Sequence, residues 1–252
     1  MILLPQTRTN RLRIAQAFAK VPTVDISVDC VIEDQMGKVF VDNTDHPQFF
    51  MIEQDSFFCY LSGDFSQQAG KDFLQQIPHG RFLMSGSHGW EAITKEIFGK
   101  SLIAVNRDSY SSDALSLSHL QTLASANTHI PHIKQIDVAL ASMENQFLSL
   151  GAFDSAEDFV ARGIGYCLIQ DEKMLGVAYS SLVCSNAIEV SIVVDPDHYR
   201  QGIATALSCK LLIWCLEHHL APHWDASNEE SCKLAEKLGY THIGEYTAYY
   251  LK

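Results

Sequence analysis

The run Asp195-Pro-Asp-His-Tyr-Arg-Gln-Gly-Ile-Ala-Thr-Ala-Leu207 decides how this chain is read. It follows an alternating apolar segment, Ile188-Glu-Val-Ser-Ile-Val-Val194, whose period of two predicts a strand. It opens into a long apolar stretch, about Gln201 to Leu220, in which Ile203, Leu207, Leu211, Cys215 and His218 recur at helical spacing. A strand, a tight basic turn with one glycine and a helix N-terminus together make an anion site. The first helical turn has N–H groups without intrahelical partners and carries the positive end of the helix dipole. A phosphate satisfies both. An ordinary strand-to-helix connection has the same outline, so the downstream sequence must decide between them.

Downstream, Pro222-His-Trp-Asp225 reads as a short strand. A helix from Asn228 to Leu238 follows, capped by Ser227 or Asn228 and ended by Gly239. Thr241 to Leu251 closes the chain as a strand pair or one bent strand. Upstream, Ser155-Ala-Glu-Asp158 is a helix-starting box. Tyr166 to Gln170, a turn at Asp171 to Lys173 and Leu175 to Val183 form a hairpin. Ile136 to Leu148 reads as a helix, after a short strand at Ile133 to Gln135.

The first half begins with a helix near Thr9 to Lys20. Strands are expected at Val24 to Glu33, Lys38 to Val41, Phe49 to Glu53, Phe57 to Ser62, Arg81 to Ser85 and Leu102 to Tyr110. Helices are expected at Gln67 to Gln76, Trp90 to Phe98 and Leu115 to Ser125. Asn127-Thr-His-Ile-Pro-His-Ile133 reads as the seam, giving an N-terminal α/β domain over 1–127 and a second domain over 128–252. The class is α/β (α+β) with a mixed sheet flanked by helices.

The chain has 252 residues, 47% of them hydrophobic and 19% charged, an ordinary globular balance. A net charge of −12 argues against nucleic-acid binding, which needs a basic face. It suits a cationic acceptor such as an amine, and equally serves solubility. No segment approaches the roughly 18 to 20 uninterrupted apolar residues of a membrane helix. Met1-Ile-Leu-Leu-Pro5 is too short for a signal peptide. Seven scattered cysteines read as reduced thiols, so the expected location is the cytoplasm.

The turn at Tyr199 to Thr205, together with Trp224-Asp-Ala-Ser-Asn-Glu-Glu-Ser231 and Lys237-Leu-Gly-Tyr240, resembles the GNAT superfamily of acyl-CoA-dependent N-acyltransferases. Phe159 to Cys167, Trp214-Cys-Leu-Glu217 and Pro222 to Asp225 further resemble the subgroup that includes zwittermicin A resistance acetyltransferases. The match covers Ser155 to Leu251. The resemblance implies a splayed GNAT-type sheet and an enzyme, an acetyltransferase. It would move an acetyl group from acetyl-CoA to a primary amine of a small molecule by direct attack in a ternary complex. The first half would help to shape the acceptor pocket. A CoA-binding regulatory protein that has lost turnover is the alternative.

By the same resemblance, the pyrophosphate of acetyl-CoA lies on Tyr199, Arg200, Gln201, Gly202, Ile203, Ala204 and Thr205. Gly202 lets the phosphate approach the backbone. The pantetheine arm runs along Ile192, Val193 and Val194 like an added strand, and a backbone N–H near Val193 stabilises the oxyanion. Asn228 is either a CoA contact or a plain helix cap. Glu189 is the candidate general base, or else a strand-end ion-pair partner. His223 and Trp224 are candidate acceptor contacts, with core packing the competing role for Trp224.

Two positions depart from the family. Ala235 stands seven residues after Asn228, where many members carry a tyrosine as general acid. Tyr240, Tyr246, Tyr249 or a water are the substitutes, so the general acid stays unassigned. Tyr199 stands three residues before the glycine, where Arg or Gln is usual.

No metal is expected. His129 and His132 have no acidic or thiol cluster beside them and read as loop histidines. Cys167 and Cys184 read as buried thiols. Ser85-Gly-Ser-His-Gly89 lacks the spacing of a nucleophile turn. The sequence leaves the oligomeric state open.

Overall fold

The computed structural model describes residues 1–22 and 24–252, which form two compact units. One comprises Met1–Arg107 and Glu245–Lys252, the other Asp108–Gly244. The boundary expected at 127/128 therefore lies inside the second unit. The reason is packing: Leu120 is fully buried in the same core as Leu212 and Trp224.

In the first unit, β1 (Ile2–Leu3), β2 (Lys38–Val41), β3 (Phe50–Gln54) and β4 (Phe58–Ser62) are antiparallel neighbours. β5 (Arg81–Ser85) runs parallel to β4, and the C-terminal part of the long strand β12 (Thr241–Leu251) pairs antiparallel with β5. Both faces of this sheet are covered, so β3 is buried at every position. Ile52 and Tyr60 face a core with Ile14 and Phe18 of α1 (Arg8–Phe18) and Val28 and Val31 of α2 (Ser27–Ile32). Met51 and Leu61 face the other core, with Phe73 of α3 (Gln68–Leu74) and Trp90 of α4 (Trp90–Phe98).

The alternation from Val24 predicts a strand, but α2 forms instead. Asp25 Oδ1 accepts the Ser27 N–H at 2.8 Å and starts a helical turn. Val28 and Val31, a helical spacing, then bury against α1. Only one strand, β12, occupies the C-terminal segment.

The second unit holds the end of β6 (Leu102–Ser111), then β11 (Ala221–Ala226), β10 (Ala187–Val194), β9 (Lys173–Val183), β8 (Gly165–Gln170) and β7 (Ile133–Gln135) as successive neighbours. All pairs here are antiparallel except β10 with β11. β8 and β9 form the expected hairpin; Asp171 and Glu172 at its tip have φ of 50° and 62°, as a two-residue turn matched to strand twist requires.

α5 (Leu117–Ser125), α8 (Ile203–Glu217) and α9 (Glu229–Leu238) bury one face of this sheet around Leu120, Leu212, Trp224, Leu238 and Tyr240. On the other face, Tyr179 of β9 meets Phe159 of α7 (Ala156–Arg162), ring centroids 6.4 Å apart. Ser155 caps α7 through the Asp158 N–H, as its sequence predicts.

The helix expected over Ile136 to Leu148 is cut to α6 (Val138–Ala141). Asn145 Oδ1 accepts the N–H groups of Phe147 and Leu148 at 2.9 and 2.6 Å, which turns the chain out of the helix. Among the described residues, no helix is long and apolar enough to cross a membrane.

Truncating Leu120 to Ala is expected to destabilise the second unit by about 2–5 kcal/mol, the usual cost of an aliphatic core deletion. The urea midpoint followed by tryptophan fluorescence measures it. An unchanged midpoint would place α5 outside this core.

Candidate active site

β10 and β11 stay paired only from Ala187↔Ala221 to Glu189↔His223 among the described residues. Beyond that point each strand follows its other neighbour. Val190 to Val194 continue on β9, while Trp224 to Ala226 pair with β6. The register between β10 and β9 shifts at Glu189/Val190, where Ser181 is the extra residue. Such a bulge adds local twist and bends the edge. Two parallel strands thus part at Glu189 and His223, opening a backbone edge on each.

Side chains alternate across a strand. Val190 and Ile192 pack against the α8/α9 core, so Glu189, Ser191 and Val193 project to the opposite face. His223 is opposite Glu189 in register and shares that face, as does Asp225. Glu189 and His223 are half-buried, and Glu189 Oε2 is closed off from solvent. Val193 is exposed.

Trp224 points the other way. It is buried in the core, donates its indole N–H to Ser231 Oγ at 3.1 Å and packs on Tyr240. His223 therefore stands on the face of Glu189, and Trp224 does not.

After β10, Pro196–His198 forms one 3₁₀ turn, held by Asp195 Oδ1 accepting the Asp197 N–H at 3.0 Å. Tyr199 is extended and largely exposed. Arg200 and Gly202 then adopt positive φ, 61° and 85°, and α8 begins at Ile203. The N-cap position is Gly202, and no side chain caps the helix. The N–H groups of Ile203, Ala204 and Thr205 have no intrahelical acceptor. Gly202 is required by its φ, and a Cβ there would also come within 3.2 Å of Asn127 Nδ2.

Side chains distant in sequence meet this turn. Asn127 donates through Nδ2 to the Gly202 carbonyl at 2.9 Å, and His129 Nε2 lies 3.0 Å from the Gln201 carbonyl. Lys237 donates to Thr205 Oγ1 at 3.1 Å, which puts an ammonium beside the first turn of α8. Arg200 is near enough to Lys233 of α9 for their charges to oppose each other, although Glu229 at 2.6 Å holds the Lys233 ammonium more strongly. An acidic chain thus gathers cations where the helix dipole is also positive. The sequence marks Asn127 only as part of a seam and His129 only as a loop histidine, and no local pattern distinguishes them further.

Asn228 caps α9: its Oδ1 accepts the Ser231 N–H at 2.9 Å. The side-chain amide N–H groups remain outside that bond. Ala235 is fully buried in the core. Tyr240 donates to the Pro222 carbonyl at 3.0 Å, and burial, followed by the charges of Cys215 and Glu189, holds its phenol well above the usual range. Tyr249 and Tyr246 belong to the first unit, where Tyr249 donates to Glu91 and Tyr246 packs on the core around Ile52 and Tyr60.

A model of the GNAT acetyltransferase family matches residues 16–249. The chain belongs to that family. As a GNAT acetyltransferase it is an acyltransferase, and acetyl-CoA is the family's general co-substrate. Among curated proteins it is similar to YdfB, an uncharacterised N-acetyltransferase of Bacillus subtilis (strain 168), with 26% identity over 226 residues and 85% of each chain covered. A shorter likeness, 33% over 92 residues, is to the ribosomal protein bS18-alanine N-acetyltransferase of Escherichia coli (strain K12); it covers 35% of this chain and 62% of that one. Among solved structures, a GCN5-related N-acetyltransferase-like protein from Streptococcus suis 89/1591 superposes with a TM-score of 0.83 at 26% identity. That match covers 97% of this chain and 99% of the other, and it bears out the mixed α/β GNAT fold.

Tyr240→Phe is expected to cost about 1 kcal/mol of stability, the worth of one hydrogen bond, and to leave kcat unchanged. Loss of a true general acid would lower kcat by about 10²–10⁴-fold, and such a drop would make Tyr240 the acid after all.

Proposed function

We propose that this GNAT enzyme moves an acetyl group from acetyl-CoA to a primary amine of a small molecule by direct attack in a ternary complex. The observation that carries the reading is the parting of β10 and β11 at Glu189 and His223, with β10 then running to Val194 and on through a short connection into an uncapped helix N-terminus. The pyrophosphate lies on backbone N–H groups from Arg200 to Thr205. Pantetheine bonds along Ile192 to Val194 as an added strand. Asn228, its Oδ1 engaged in the cap, offers its amide N–H groups to the pantetheine or the nucleotide.

The chemistry follows from that placement. The neutral amine attacks the thioester carbonyl. The oxyanion takes a hydrogen bond from a backbone N–H near Val193. As the tetrahedral intermediate collapses, the C–S bond breaks and CoA leaves as its thiolate. The proton lost by the amine goes to Glu189, directly or through a water. His223, on the same face, contacts the acceptor. With Ala235 buried where many relatives carry tyrosine, the thiolate departs without a side-chain acid from that helix. A CoA thiolate is a tolerable leaving group near neutral pH.

We infer a small-molecule acceptor from the resemblance of Phe159 to Cys167 and Pro222 to Asp225 to zwittermicin A resistance acetyltransferases. The net charge of −12 favours a cationic one. A cytoplasmic location fits seven cysteines that form no disulfide among the described residues.

Free-thiol release from acetyl-CoA across a panel of small amines, with a peptide bearing N-terminal alanine as comparison, tests this reading. Turnover with small amines is expected. Turnover with the peptide alone would reassign the acceptor, and acetyl-CoA binding without turnover would mark a CoA-binding regulator. Glu189→Gln is expected to lower kcat by about 10²-fold while leaving the Kd for acetyl-CoA near wild type. Equal activity would remove Glu189 as the base.

A further inference from the structure

The phosphate-binding turn proposed above is held from outside by two side chains, and their geometry assigns them a task. In a trans peptide the C=O and the following N–H lie in one plane and point in opposite directions. The Gln201 carbonyl belongs to the peptide that carries the Gly202 N–H. The Gly202 carbonyl belongs to the peptide that carries the Ile203 N–H. His129 Nε2 and Asn127 Nδ2 bond those two carbonyls at 3.0 and 2.9 Å. Fixing the carbonyls turns the two N–H groups to the opposite side, away from Asn127 and His129. A hydrogen bond accepted by a carbonyl also polarises its own peptide and strengthens the N–H as a donor.

The turn needs this support. Arg200 and Gly202 both sit at positive φ, a region that a non-glycine residue such as Arg200 enters only under constraint. The support is itself rigid, because Asn127 Oδ1 accepts the His129 N–H at 3.0 Å and ties the pair into one Asx turn. The carbonyl of Gln201 can only accept, so His129 Nε2 carries a proton in this contact.

We infer that Asn127 and His129 are positioning residues for the donor's pyrophosphate, acting through the Gly202 and Ile203 peptides; this rests on the acyl-CoA reading of the turn. The experiment is calorimetric titration of acetyl-CoA, and of pantetheine, which lacks the pyrophosphate, into wild type, Asn127→Ala, Asn127→Asp, His129→Ala and His129→Gln. Melting temperatures of the free proteins are measured alongside.

Asn127→Asp keeps the acceptor that makes the Asx turn but replaces the donor to Gly202 with a carboxylate oxygen and adds a negative charge, so Asn127→Ala, which adds none, is read beside it. Asn127→Ala, Asn127→Asp and His129→Ala are expected to raise the Kd for acetyl-CoA by about tenfold, the equivalent of one hydrogen bond. Pantetheine affinity stays at the wild-type value in these variants, and each still shows a cooperative melting transition. His129→Gln, which supplies an amide donor, recovers most of the loss. Unchanged acetyl-CoA affinity, or equal losses with both ligands, would overturn the inference. A wild type that binds pantetheine as tightly as acetyl-CoA would instead overturn the pyrophosphate reading beneath it.

Discussion

Parallel pairing between β10 and β11 lasts from Ala187↔Ala221 to Glu189↔His223, and then each strand is claimed by a different partner. β9 keeps Val190 to Val194, and β6 takes Trp224 to Ala226. An unpaired backbone edge inside a sheet is costly unless something completes it. Here the bulge at Ser181 of β9, opposite Glu189/Val190, adds twist where β10 leaves β11, and the α8/α9 core packs Val190, Ile192 and Trp224 under the opening. The rest of the second unit depends on that arrangement. It aims Glu189 and His223 to one face, and it sends the chain from Val194 through a short turn into the start of α8.

The electrostatics follow the same plan. A chain of net charge −12 places Arg200 and Lys237 at one helix N-terminus. The dipole, the free first-turn N–H groups and these cations favour an anion at the same point. On the sheet face carrying Glu189, the groups are of the opposite kind: two carboxylates, Glu189 and Asp225, flank His223. The two ends of the splay thus differ in charge, cationic at the start of α8 and carboxylate-bearing on the sheet face, which is the contrast the proposed reaction uses.

Local chemistry made much of this legible. The strand Ile188 to Val194, the turn with Gly202 and the helix after it each carry their own period or φ requirement. So do the β8–β9 hairpin and the caps Ser155 and Asn228, which the structure places as the sequence implies. Features set by contacts distant along the chain were not legible. Asn127 and His129 reach residues 75 and 72 positions away, and nothing in their neighbourhood announces it. The segment after Val24 alternates like a strand, yet Asp25 and the α1 surface make it helical. Leu120 belongs to a core built largely from residues beyond 200, so a boundary drawn from composition at Asn127 misplaced α5. Trp224 and His223 are neighbours in sequence but face opposite sides of the sheet, a separation that strand register makes visible.

The central claim is that one ligand spans the open edge of β10 and the N-terminus of α8. Amide hydrogen exchange of the protein with and without acetyl-CoA tests it most directly. The expected result is joint protection of Val190 to Val194 and of Gly202 to Thr205, with the α5–α9 core unchanged. Protection of only one of these segments, or of neither, would contradict it.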